Sequence, residues 1–152
     1  MHYALRFSDM PLDALYQQVI LDHFKNPRNF GKLDGPAMRA RHENPVCGDQ
    51  LDLQVSIDTQ QRIAQIKFYG RGCAISQSSA SLMTELVKDK TVVEAREIIM
   101  SFFYMLTGEG EARVELGDLE ALAGVKQFPV RLKCATLAWK ALESCLEQAE
   151  PK

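Results

Sequence analysis

Apolar positions at Leu12, Leu15, Val19, Ile20 and Phe24 recur at helical spacing just after Pro11, a residue suited to a first helical turn. Asn26-Pro27 ends that run, and a loop with Gly31, Gly35 and Pro36 follows. The period then changes to two. Leu51, Leu53, Val55 and Ile57 alternate with polar neighbours, the pattern of a half-buried strand. Asp58 to Gln61 reads as a polar turn, and Ile63 to Tyr69 as a second strand. Ala37 to Glu43 is a third, weaker candidate, and the short connections favour antiparallel pairing.

After Gly72 the helical period returns. Ile75, Ser79, Leu82, Met83 and Leu86 share one face. Thr91 followed three residues on by Glu94 is a capping box. It opens a helix carrying Ala95, Ile98, Ile99, Phe102, Phe103 and Leu106, which Gly108 stops. Gly108 to Phe128 is less regular, with a short helix expected around Leu119 to Ala123. Pro129 opens a last helix with Cys134, Leu137, Ala138, Ala141 and Cys145 on one side. Strands first and helices afterwards predict an α+β domain, with a small three-stranded antiparallel sheet covered by helices.

Composition narrows the function. The 152 residues, 46% hydrophobic and 25% charged, suit one globular domain rather than a disordered chain. Residues 1–10 read as a loose arm. Eighteen basic against twenty acidic residues leave no cationic excess to hold nucleic acid or an anionic membrane. No apolar run is long enough to span a bilayer, and Met1 to Met10 lacks a signal-peptide core, so the expected location is the cytoplasm. In that compartment the four cysteines are expected as thiols, not disulfides.

Three of those cysteines sit at the edges of elements. Cys47 lies in a turn before a strand, Cys73 in the tight Gly70-Arg71-Gly72 turn into a helix, and Cys134 in the first turns of the last helix. None belongs to a C-x-x-C pair, so a zinc ribbon or thioredoxin motif is excluded. Three thiolates with Asp49 would complete a tetrahedral zinc shell and leave it with excess negative charge, which favours release of one thiolate. Arg131, one helical turn before Cys134, could hold Asp49 or the released thiolate. Each residue also has an ordinary reading: Cys73 as a core thiol, Asp49 as a turn residue, Arg131 as a solvated helix residue. Cys145, three turns beyond Cys134, reads as packing. His2 and His23 have no ligand partner by spacing, and His42, five residues before Cys47, is a minor candidate.

Longer motifs surround these residues. They are Leu15-Tyr16, Asp22-His23, Asn26-Pro27-Arg28-Asn29, Asn44-Pro45-Val46-Cys47-Gly48-Asp49, Gly72-Cys73-Ala74-Ile75-Ser76 with Ser78 to Ser81, and Arg131 to Trp139. In these the chain resembles the U-type iron–sulfur assembly proteins, the family of IscU and the N-terminal part of NifU, from about Leu15 to Cys145. Two departures make it similar to the SufU branch. Lys133 stands where IscU-type scaffolds carry a histidine, and the 108–128 segment is longer. An ammonium must lose a proton before it can bind a metal, so Lys133 is a poor ligand.

The resemblance implies a single SufU/IscU-like domain over 1–152, with 108–128 as an insert typical of that branch. It implies a Zn²⁺ site from Cys47, Asp49, Cys73 and Cys134. Cys47 would be the persulfide acceptor and Arg131 a functional arginine. The implied partners are a SufS-type, PLP-dependent cysteine desulfurase and, downstream, a SufBCD-type assembly complex. The activity implied is that of a sulfurtransferase-like carrier. The alternative is a scaffold that assembles and passes on a transient [2Fe–2S] cluster on the same residues.

Overall fold

The computed structural model describes residues 12–45 and 48–149. The expected arm at 1–10 lies outside them. Helix α1 runs Leu12–Lys25, followed by strands β1 (Met38–Asn44), β2 (Asp49–Ile57) and β3 (Ile63–Arg71). Then come α2 (Ala74–Val87), α3 (Val92–Thr107), a 3-10 helix (Gly117–Gln127) and α4 (Pro129–Ala149). The sheet is antiparallel in the order β1-β2-β3. This is the α+β architecture expected from the sequence.

The alternation in β2 has the predicted effect. Leu51, Leu53 and Val55 face inward with Ile63, Ile66 and Phe68 of β3, all buried. Helix α4 lies across β1 and β2 and also packs on α2. Its Trp139 stacks on Phe102 of α3, ring centroids 4.2 Å apart, at the centre of the core. Of the neighbouring aromatics, Phe103 packs on the edge of the core and Tyr104 is exposed. The capping box forms: Thr91 Oγ1 accepts the Glu94 N–H at 3.1 Å, and Glu94 Oε1 accepts the Thr91 N–H at 3.1 Å. Gly108 ends α3 with φ +76°, a left-handed conformation that suits glycine.

Two predicted faces need correction. In α1, among the described side chains, which do not include those of Leu12 and Leu15, Phe24 is 41% exposed and His23 is the residue buried against the domain. Its Nδ1 lies 2.7 Å from Ser81 Oγ, and Ser81 Oγ also accepts the Arg28 N–H at 2.9 Å. Asn29 Nδ2 donates to Thr84 Oγ1 at 3.0 Å, so the Asn26–Asn29 turn is pinned to α2 by polar contacts. In α2, burial extends well beyond the apolar stripe. Ser76, Ser78, Ser79, Ser81 and Thr84 are all buried, while Leu86 is only partly so. Each buried hydroxyl has a hydrogen-bond partner; Ser79 Oγ accepts from Trp139 Nε1 at 3.0 Å and donates to the Ala135 carbonyl at 2.6 Å. The short helix expected at 119–123 is the core of a longer 3-10 helix.

Candidate metal centre

Two adjacent turns build the site. The β1–β2 hairpin closes on the pair Asn44 and Asp49, and Gly48 within it has φ +71°. The β3–α2 turn carries Gly72 and Cys73, with Cys73 as the residue that precedes the first turn of α2. Asp49 joins the two turns, since its Oδ1 accepts the Cys73 backbone N–H at 3.0 Å. Gly72 allows that approach: a Cβ there would collide with Asp49 Oδ1 and lie 2.5 Å from Ser76 Oγ. The first turns of α4 bring Cys134 to the same place, with Cys134 Sγ 3.6 Å from the Val130 carbonyl.

Asp49, Cys73 and Cys134 thus converge from three elements, their potential ligand atoms all within 4.8 Å of one another. Asp49 and Cys134 are buried and Cys73 partly so. The second carboxylate oxygen, Asp49 Oδ2, is buried without a hydrogen-bond partner. A carboxylate with one oxygen taken out of water at such a cost, in a group with two sulfurs, fits a metal cation. The donor set of one carboxylate and two thiols suits zinc.

Cys47, the expected fourth ligand and acceptor, lies outside the described residues; in sequence it stands between Asn44 and Asp49. Arg131 is exposed and lines a cavity of about 490 Å³ with Cys73, Phe128, Pro129, Val130 and Cys134. It makes no ion pair with Asp49, whose Oδ2 has no hydrogen-bond partner among the described residues. Lys133 lines a separate groove beside His42, Pro45 and Lys140. His42 Nε2 is 3.2 Å from Ser144 Oγ, and neither His42 nor His23 joins the donor set. Burial pushes the Cys145 thiol up to about 12, which leaves it protonated and inert, as its packing role requires.

Two features escaped the sequence reading. Asn44, buried at the hairpin mouth, extends its side-chain amide toward Cys134 Sγ, 3.9 Å away. The sequence shows there only a polar residue before Pro45 at the end of a strand, which carries no mark of a contact to Cys134. The other is the apolar rim of the cavity, where Phe128 is 56% and Val130 53% exposed.

This fold and donor set belong to a recognised class. Residues 15–149 match the family described as NifU-like N terminal domain, and the chain belongs to that family. Among curated relatives it is similar to the zinc-dependent sulfurtransferase SufU of Bacillus subtilis (strain 168). The two are 46% identical over 140 residues, 91% of this chain and 94% of the relative. It is 43% identical over 139 residues to the iron–sulfur cluster assembly scaffold protein IscU of Streptococcus pyogenes serotype M1, covering 91% of this chain and 86% of that one. A crystal structure of a candidate iron–sulfur cluster assembly scaffold protein for the SUF system, from Fervidobacterium islandicum AW-1, superposes with a TM-score of 0.80. It is 34% identical and covers 88% of this chain and 97% of that one.

Proposed function

We propose that this chain is a zinc-dependent sulfur acceptor and carrier, working with a cysteine desulfurase in iron–sulfur cluster assembly. The observation that carries the reading is a buried Asp49 carboxylate that brings one oxygen within 4.8 Å of the Cys73 and Cys134 sulfurs, and whose Oδ2 has no hydrogen-bond partner among the described residues. Its similarity to a relative named as a zinc-dependent sulfurtransferase supports the same choice. Cys47, Asp49, Cys73 and Cys134 would hold the ion. Zinc, when bound, would keep the thiols deprotonated at neutral pH.

Cys47 is the acceptor in this account. Its thiolate attacks the outer sulfur of a persulfide presented by the desulfurase. The new Cys47 S–S bond forms as the donor's S–S bond breaks, and the donor cysteine leaves as a thiolate. One disulfide-type bond replaces another, so no external oxidant or reductant enters. Arg131 would stabilise the anionic sulfur during the exchange, and the Phe128–Val130 rim would receive the partner's loop. The partner fits a SufS-type, PLP-dependent enzyme, with a SufBCD-type complex receiving the sulfur, in the cytoplasm. The 1–152 chain would act as one domain, with 108–128 as its branch-specific insert.

The test incubates the chain with a desulfurase and cysteine, then reads persulfide by mass spectrometry. Cys47→Ser should abolish acceptance while the desulfurase still turns over with a small thiol. Retained acceptance would move the role to Cys73 or Cys134. The similarity to a relative named as a scaffold favours one second reading, a [2Fe–2S] cluster built on the same residues. Iron and sulfide bound in place of zinc would mark that reading.

A further inference from the structure

The proposed centre holds three cysteines of one chemistry, yet only one of them can be the acceptor. Something must make the others less reactive. Asn44 and Asp49 pair directly across the hairpin, and their side chains turn to different cysteines. Asp49 Oδ1 takes the backbone N–H of Cys73. Asn44 Nδ2 donates to the sulfur of Cys134, 3.9 Å away. Asn44 is only 6% exposed, in a strand whose preceding residues alternate between partly buried and exposed. A buried amide is stabilised by each donor contact it makes, and the sulfur of Cys134 is one of them.

We infer that Asn44 is a positioning residue that holds Cys134 as the unreactive, retained thiolate of the centre. The inference rests on the zinc reading above. An N–H donor aimed at an anionic sulfur draws charge from it and lowers its nucleophilicity, as charge-assisted hydrogen bonds do. It also offsets part of the excess negative charge that three thiolates and a carboxylate place around a divalent cation. Cys134 is 2% exposed and receives this donor, whereas Cys73 is half-buried and, among the described residues, its thiol donates to the Ser76 hydroxyl at 3.9 Å. The hairpin therefore fixes one cysteine from its first closing residue, while it carries the acceptor cysteine between that residue and Asp49. Selectivity among the thiols is thus built into the same short turn.

The experiment follows alkylation of the zinc-loaded chain with iodoacetamide, with each cysteine quantified by peptide mass spectrometry. In the unaltered chain Cys134 should be modified more slowly than Cys73. Asn44→Asp, which keeps the shape but replaces the donor by a carboxylate oxygen, should raise the Cys134 rate about tenfold, as should Asn44→Ala. The Cys73 rate should stay within about twofold, since the contacts described for Cys73 are to Asp49 and Ser76. Cobalt substitution gives a second readout: the sulfur-to-cobalt absorption band of both variants should move to longer wavelength. Unchanged Cys134 alkylation and an unmoved band in variants that keep their metal would overturn the role. Variants that fold but bind no metal would overturn it too, because an outer hydrogen bond tunes a ligand rather than supplying one. An unaltered chain that binds no zinc would instead remove the metal reading, and this inference with it.

Discussion

Asp49 gives its two oxygens different tasks. Oδ1 holds the Cys73 turn through a backbone N–H, and Oδ2 is buried without a partner. Replacing it with Asn keeps an acceptor for that N–H but removes the anionic donor. Loss of an outer partner to a metal ligand typically costs 10- to 100-fold in affinity, so loss of the donor itself should cost at least about a hundredfold. A competition titration with a zinc chelator measures this, and an unchanged affinity for Asp49→Asn would remove Asp49 from the shell. At this scale the sequence was informative about chemistry and silent about contacts. Asp49, Cys73 and Cys134 stand far apart in the chain and became candidates through their residue types and motifs. Asn44 could not be found that way, because an amide near a sulfur becomes visible only when β1 and α4 are packed.

The elements differ in how far local chemistry determines them. Helix α3 begins at a capping box that is local in sequence, so pattern and structure agree there. Thr91→Ala removes the hydroxyl that accepts the Glu94 N–H and should destabilise the fold by about 1 kcal/mol. Urea unfolding of the metal-free chain would report it as a lower midpoint at unchanged slope. Strands β2 and β3 were legible because a half-buried strand has a strict period of two. Helices α1 and α2 were legible as helices and in much of their apolar faces, with Val19 and Ile20 packed on the core and Ile75, Leu82 and Met83 within it, but most of their buried polar positions were not. His23, Ser81 and Thr84 are polar, and each is buried because a partner from another element satisfies it. Hydrophobic periodicity carries no record of such partners. The 3-10 helix at Gly117–Gln127 had the weakest apolar pattern and was accordingly the least well read.

Over the whole molecule, His23 links α1 to the rest of the domain. Its imidazole contacts Ser81 at 2.7 Å and lies 3.5 Å from Glu85. Burial holds it below its ordinary value of 6.5, helped by the Arg28 guanidinium, with Glu85, Asp22 and Asp118 opposing. The unfolded chain therefore takes up this proton before the native one does. Stability from this group is complete above the ordinary histidine value and is lost as pH falls through it. For the metal-free chain, unfolding free energy should decline as pH is lowered from about 7.5 to 5.5. His23→Gln should flatten that slope, even if it lowers stability overall. An equally steep slope in the variant would assign the effect to other groups.

Among the described residues no helix is long and apolar enough to cross a membrane. The domain displays a group of side chains that could hold a metal ion beside an apolar rim, set where two turns and the start of α4 meet. The central claim is that this cluster holds zinc for sulfur transfer. Its most direct test is the content of zinc, iron and acid-labile sulfide per chain after purification without oxygen. About one zinc per chain and no sulfide is the expected result. Iron with matching sulfide, and no zinc, would contradict it.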